Sequence, residues 1–265
     1  MKYAFMSFST PELDLTETLS LACQLGYDGI EPRLSAEHRH GIEFDTPADA
    51  RRAIRAQVED SGIALCCLAT SCQYSNPETL AQMMDDTRRA IDLAGDVGAP
   101  RLRVFGGMIP AGVSREQAFA QCVESFRGVA GQAAARGVTL CMETHDSWCD
   151  PEQVAAVLRA VDHPNIAANW DIMHPVRAGG ATMDSAFAAL TPWIRHLHVH
   201  DGALSEPFTL LPIGEGGIDH RRALTMLLAL PYDGFISGEW IGWEPYQTHL
   251  PRELATLRRY EAEVK

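Results

Sequence analysis

Glu143, Asp171 and Glu239 each follow directly on a short apolar run (VTLCM, IAANW and FISG), and a histidine-rich run, IRHLHVH (194–200), lies between the second and the third. Carboxylates add nothing to the packing of an apolar strand. Their placement at three strand ends, with imidazoles in a fourth, therefore points to a shared ligand. Three oxygens and one nitrogen suit a hard or borderline divalent ion that keeps room for substrate oxygens, whereas a closed structural zinc site draws on Cys and His. The set predicts a metal-dependent enzyme with one divalent ion, Mn²⁺ as first choice and Mg²⁺, Co²⁺ or Zn²⁺ as alternatives. An Asp near a strand end also starts helices, and a Glu there also pairs with arginine. Those readings explain one such residue more readily than four.

The elements that must position these groups alternate regularly. Short apolar strands are expected at 3–8, 28–33, 63–70, 101–107, 138–144, 166–171, 194–201 and 234–240. Each is followed by an amphipathic stretch of helical period, the last being ELATLRRYEAEVK from 253. Eight strand–helix alternations without a surplus strand predict an α/β fold, a (β/α)8 TIM barrel, as a single domain over 1–265. Gly26, Gly62, Gly98 and Gly137 stand where a left-handed cap would stop a helix, and Pro47, Pro77 and Pro151 stand at or just before helix starts. Ligands of such a barrel gather at the C-terminal ends of its strands, where Glu143, Asp171 and Glu239 fall.

Side chains alternate along a strand, so Glu143 shares a face with Cys141, Asp171 with Asn169, and Glu239 with Ser237. His196, His198 and His200 also share one face, and parity alone does not choose among them, although depth in the strand makes His196 the poorest. His174, three residues after Asp171, falls within reach of the ion or a substrate hydroxyl. His145 and Asp146 in ETHDSW are candidates for substrate contact.

Composition narrows the partners. With 22 Lys+Arg against 35 Asp+Glu the formal charge is −13, which repels nucleic acid and anionic membrane. The first residues, MKYAFMSFSTPELDL, do not read as a signal peptide, and no stretch reaches the roughly 18 apolar residues of a span. The seven cysteines form no CxxC pair and sit mostly in apolar runs, which predicts reduced thiols and a cytoplasmic protein.

The motifs ETHD (143–146), NWDIMHP (169–175), HLHVHD (196–201), IGEGGID (213–219) and GEW (238–240) resemble the sugar phosphate isomerase/epimerase family, whose members are xylose-isomerase-like barrels. The resemblance runs the length of the chain and is most specific from 138 to 240. It implies that Glu143, Asp171, His198 and Glu239 hold the metal, that His200 faces substrate, and that His174 contacts metal or substrate. It also implies a small polyol or keto-sugar substrate and a homodimer or homotetramer. The family's abasic-site endonucleases use three zincs and further histidines. This chain has Ser71 and Cys72, then Phe105 and Gly106, at those places, which argues against DNA incision. Its ketose 3-epimerases carry an arginine in the seventh strand's loop, and residues 202–220 contain none.

The chemistry so implied is proton abstraction beside a carbonyl held on the metal, through an enediolate, with Glu143 and Glu239 as the catalytic pair. Returning the proton to the opposite face epimerises; delivering it to the neighbouring carbon isomerises. Loss of a β-hydroxyl instead makes a lyase of the inosose dehydratase kind, and a barrel that binds without turnover is the third alternative. Further substrate contacts are expected from Glu31, at the end of the second strand, and from Arg103, as an anion ligand or a neutraliser of Glu143. Phe8, Trp148, Trp240 and Trp243 are candidate walls, whereas Trp170 has the parity of a helix-facing residue. His38 and His40 lie in a segment (34–46) placed to act as a lid, and GEGG (214–217) sits where barrels often bind phosphate.

Overall fold

The computed structural model describes residues 1–265. Eleven strands and nine α-helices follow in the order β1 (Lys2–Met6), α1 (Leu15–Leu25), β2 (Gly29–Glu31), α2 (Ala48–Ser61), β3 (Ala64–Leu65), β4 (Leu68–Gln73), α3 (Leu80–Val97), β5 (Arg101–Phe105) and α4 (Arg115–Arg136). The second half continues with β6 (Thr139–Glu143), α5 (Pro151–Val161), β7 (Ile166–Asp171), α6 (Met173–Arg177), α7 (Met183–Leu190), β8 (Ile194–Val199), β9 (Asp201–Gly202), β10 (Leu210–Leu211), α8 (His220–Leu228), β11 (Phe235–Gly238) and α9 (Tyr246–Val264).

Nine strands form one parallel sheet in the order β3-β2-β1-β11-β8-β7-β6-β5-β4. The sheet curls until its ends meet. The parallel bridge Arg33↔Ala69, with Leu34 N–H on the Ala69 carbonyl at 2.8 Å, joins the chain beyond β2 to β4. β3 and β4 together occupy the third of eight barrel positions, so the α/β barrel has the expected eightfold design. The strand expected over 63–70 breaks because its first part pairs with β2 and its second with β5. Cys66 and Cys67, at the break, are buried beside Ala4 and Phe235.

Local chemistry sets the helix limits. Gly26, Gly62, Gly98 and Gly137 end α1 to α4 in the left-handed conformation, at φ from +67° to +85°, where a Cβ would be strained. Asp14 with Glu17 and Ser114 with Gln117 form capping boxes at the starts of α1 and α4. α9 begins seven residues before the expected start and carries Pro251 inside it. His249 anchors that first part, with its ring on the Glu244 carbonyl (2.8 Å) and on Ser9 Oγ (3.0 Å).

A core of 63 buried residues fills the space between barrel and helices. Trp148, Trp170 and Trp240 belong to it at 0–1% exposure, so the expectation that Trp148 and Trp240 wall a substrate does not hold. Trp170 packs on Phe187 of α7, as its parity implies, and Trp148 sits against Gly106, where a Cβ would lie 2.3 Å from the indole. All seven cysteines are free thiols, six of them buried. No helix is long and apolar enough to cross a membrane.

Candidate metal centre

Four elements deliver the four groups. Glu143 ends β6, Asp171 ends β7, His198 is the fifth residue of β8, and Glu239 follows β11 with its N–H still on the Val199 carbonyl at 3.1 Å. Parallel register brings Asp171 level with His198, and His198 level with Ser237. One potential ligand atom from each of Glu143, Asp171, His198 and Glu239 lies within 4.8 Å of all the others, and all four residues are buried. Three acidic side chains in so small a space repel one another unless a cation is shared among them. Asp171 Oδ2 and Glu143 Oε2 are buried without a hydrogen bond, as a carboxylate poised for an ion would be. The donor set thus fits a divalent ion.

The histidine orients itself by its partners. His198 turns Nδ1 toward Glu143 Oε1 (3.0 Å) and Glu239 Oε2 (3.3 Å), and Nε2 toward Glu31 at 3.1 Å. Burial pulls its pKa down, but the carboxylates of Glu31, Glu143 and Glu239 outweigh burial and hold it well above the usual histidine value. Nδ1 is the nitrogen that faces the two glutamates of the set. Glu31 has no exposed surface, and its second oxygen is on His196 Nε2 at 2.8 Å. Both its oxygens are therefore taken by imidazoles, which corrects the expectation that it meets substrate hydroxyls.

Asp171 does two jobs at once. Oδ1 accepts the N–H groups of Met173 (2.8 Å) and His174 (3.1 Å), starting α6, while Oδ2 stands 3.0 Å from His200 Nε2. The helix-start reading and the ligand reading of this residue are compatible, because each uses a different oxygen. His200 Nδ1 faces the Glu239 carbonyl at 3.1 Å. Burial pulls the His200 pKa down, but the Asp171 carboxylate outweighs it and raises the pKa above the ordinary histidine value. His174 lies between His145 and His200, with ring centroids 4.4 and 5.6 Å away.

Arg103 is almost completely buried and sits between the two glutamates. Its Nε is 3.2 Å from Glu143 Oε2, an ion pair outside hydrogen-bond angles, its Nη2 is 4.0 Å from Glu239 Oε1, and its Nη1 donates to the Thr70 carbonyl at 2.9 Å. Of the two roles expected for it, the structure selects neutralising the acids over binding a substrate anion. Burial favours a protonated Glu239, but His198 and Arg103 prevail and hold it at about 2, an ionised carboxylate at neutral pH. His145 is held at about 9 despite burial by Asp146, 2.9 Å from its Nδ1, and by Glu143.

Two other expectations are redirected. The N–H groups of Gly214, Gly216 and Ile218 point at the buried Asp201 carboxylate, at 2.8, 3.2 and 3.1 Å, so the GEGG loop already holds an internal anion in place of a phosphate. In the 34–46 segment His40 and Ile42 are buried, and His38 Nδ1 is 2.8 Å from Ser7 Oγ, which packs this segment onto the barrel mouth. Neither Arg33 nor Asp201 stands out as a functional residue in the sequence. Asp201 was within reach, since an Asp after a barrel strand and a glycine-rich loop a dozen residues on are natural partners.

A family model described as a xylose isomerase-like TIM barrel matches residues 19–260. Among curated proteins, the 3-dehydroshikimate dehydratase of Bacillus anthracis is 22% identical over 262 residues, covering 91% of each chain. The L-ribulose-5-phosphate 3-epimerase of Salmonella paratyphi B is 23% identical over 231 residues, covering 82% of this chain and 79% of that one. Among solved structures, an L-ribulose 3-epimerase superposes with a TM-score of 0.83 at 17% identity, covering all of this chain and 96% of the other.

Proposed function

The chain belongs to the xylose isomerase-like TIM-barrel family, and from that premise we propose that it is a divalent-metal-dependent isomerase or epimerase of a small sugar, ketose or hydroxy-keto acid. The observation that carries the reading is the convergence of Glu143, Asp171, His198 and Glu239 at the C-terminal mouth of the barrel. These four would hold the ion, with Mn²⁺ the first choice for three carboxylates and one imidazole. When bound, a divalent ion supplies Lewis-acid polarisation of a carbonyl and its neighbouring hydroxyl.

The chain's own groups do the rest. Glu143 and Glu239 are catalytic: one takes the proton from the carbon beside the carbonyl, and the other returns one. Glu239, ionised over the physiological range, is ready to accept. Arg103 keeps the pair from repelling and stays close as their charges change. His174, on the Asp171 side, is placed to donate to substrate oxygens, His200 lines that side with its nitrogens turned to Asp171 and the Glu239 carbonyl, and His145 reaches the same side through His174. The likeness to isomerases and epimerases supports this reading, as does the acidic surface, which disfavours a nucleic-acid substrate. The reading includes a cytoplasmic homodimer or homotetramer.

One observation favours a second reading, dehydration. His145 is protonated at neutral pH and able to give its proton to a departing hydroxyl, and the dehydratase relative aligns over nearly the whole chain. Incubation of the Mn²⁺-loaded protein with polyol ketones in deuterated water separates the two. An isomerase or epimerase places deuterium in a product of unchanged composition, whereas a dehydratase yields water and an absorbing enone. Absence of both deuterium incorporation and enone formation with every ketone in metal-loaded protein overturns both.

A further inference from the structure

Arg33 follows β2 by two residues and reaches across the barrel mouth to β4. Its Nη1 donates to the carbonyls of Leu34 and, at 3.3 Å, Ala69, and its Nη2 donates to the Ser71 hydroxyl. These partners are all neutral. In a chain with 35 acidic residues, the other arginine of the mouth, Arg103, has recruited Glu143 and Glu239, but Arg33 contacts no carboxylate. A half-buried cation without a counter-ion is costly, and it persists where an incoming anion supplies the missing charge.

Its surroundings tie it to the metal cup. Its Nη1 and that of Arg103 donate to the successive Ala69 and Thr70 carbonyls of β4, and burial and the field of Arg103 lower its pKa to about 10 while Glu239 and Glu143 act in the opposite sense, so it stays charged beside the site. Phe8 lies under it, its ring centroid 6.0 Å from the guanidinium carbon. The Nε–H makes no bond within the protein, and a guanidinium edge presents two parallel donors matched to the two oxygens of a carboxylate. A phosphate is less well served, because the loop N–H groups that would cradle it are spent on Asp201.

We propose that Arg33, steadied by Ser71, is the subsite for a carboxylate on the substrate, so that the chain acts on a small hydroxy-keto acid in preference to a neutral ketose. The proposal rests on the metal-dependent reading above and selects a substrate class within it. The carboxylate docks on Arg33 at the rim while the carbonyl carbon faces Glu143 and Glu239. No covalent step is added.

The test uses hydroxypyruvate and dihydroxyacetone, which differ only in a carboxylate replacing a hydroxymethyl group, titrated calorimetrically into Mn²⁺-loaded protein. The wild type is expected to bind hydroxypyruvate roughly 10- to 100-fold more tightly, the range of a charge-assisted pair. Arg33→Met should bring the two probes to equal affinity, and Arg33→Lys, which keeps the charge but not the paired donors, should leave an intermediate preference. A preference that survives in Arg33→Met overturns the assignment, since it would come from the ion alone; so does a wild type with no preference. If Arg33→Met does not fold, a full preference in Arg33→Lys overturns the paired-donor recognition. Mn²⁺ titration followed by electron paramagnetic resonance separates the two levels. A wild type that binds Mn²⁺ yet ignores both probes overturns the Arg33 subsite only, whereas failure to bind Mn²⁺ overturns the function beneath it.

Discussion

Glu31 holds His198 by its Nε2, at 3.1 Å, and thereby leaves Nδ1 to face Glu143 and Glu239. An ionised carboxylate only accepts, so it keeps the proton on Nε2 and makes the other nitrogen the ligand. His196 secures the second oxygen of Glu31 at 2.8 Å. Glu31→Gln should therefore weaken Mn²⁺ binding by roughly 10- to 100-fold without loss of secondary structure. His198→Ala should weaken it further, and His196→Ala less than His198→Ala. Mn²⁺ titrations of the three variants check the order, and equal affinities for His196→Ala and His198→Ala would mean that the wrong imidazole has been assigned.

Metal binding should expel a proton. Without metal, His198 sits among three carboxylates that outweigh its burial, so its pKa lies well above the ordinary 6.5 and the ring is cationic at neutral pH. An ion needs the Nδ1 lone pair, hence the proton on Nδ1 must leave. Apparent affinity should fall as pH falls below the His198 pKa, by about tenfold per unit for one proton. Calorimetric titration at pH 7 in two buffers of different protonation enthalpy should report about one proton released per ion. In the metal-free protein the sign is opposite. A raised folded pKa contributes stability that is complete below 6.5 and is lost as pH rises through the folded value. A thermal-melt series without metal should show that contribution only on the acid side.

Much of the fold was legible because strand and helix periods alternate so regularly, and the ligands were legible because each carboxylate interrupts that pattern at a strand end. What escaped depends on partners in space. The third strand reads as one apolar run, since nothing in LCCLA shows that the pairing passes from β2 to β5 there. α6 is only five residues and owes its start to Asp171 Oδ1, while Pro251 masks the early start of α9. The position of Glu31 was foreseen but not its use, because its partners stand 165 and 167 residues away. Arg33 follows a proline at the end of the strand expected over 28–33, and its interest lies in having only neutral partners, a property visible only in the folded chain.

Asp201→Ala should cost stability. Its carboxylate accepts the N–H groups of Gly202, Gly214, Gly216 and Ile218, and all four lose that acceptor on truncation. Gly216 fits because a Cβ there would lie 2.1 Å from Asp201 Oδ1. Loss of a buried, hydrogen-bonded acid of this kind costs about 2–4 kcal/mol, which lowers Tm by roughly 5–15 °C in a domain of this size. Differential scanning calorimetry of the variant measures it, and a shift under 2 °C would mean that the loop is held by something other than this carboxylate.

Glu143→Gln and Glu239→Gln should each lower kcat by about 10²–10⁴-fold at saturating Mn²⁺, the range for removal of a positioned acid or base. The two losses should differ in kind. If one glutamate removes the proton and the other returns it, the variant lacking the remover can no longer wash solvent deuterium into recovered substrate. The variant lacking the other should still exchange substrate while failing to form product. Glu239 is the expected remover, since His198 and Arg103 keep it ionised against its burial. Recording deuterium in substrate and product separately, by mass spectrometry during a single turnover, assigns the roles. Unimpaired turnover in Glu239→Gln would remove that residue from the chemistry altogether.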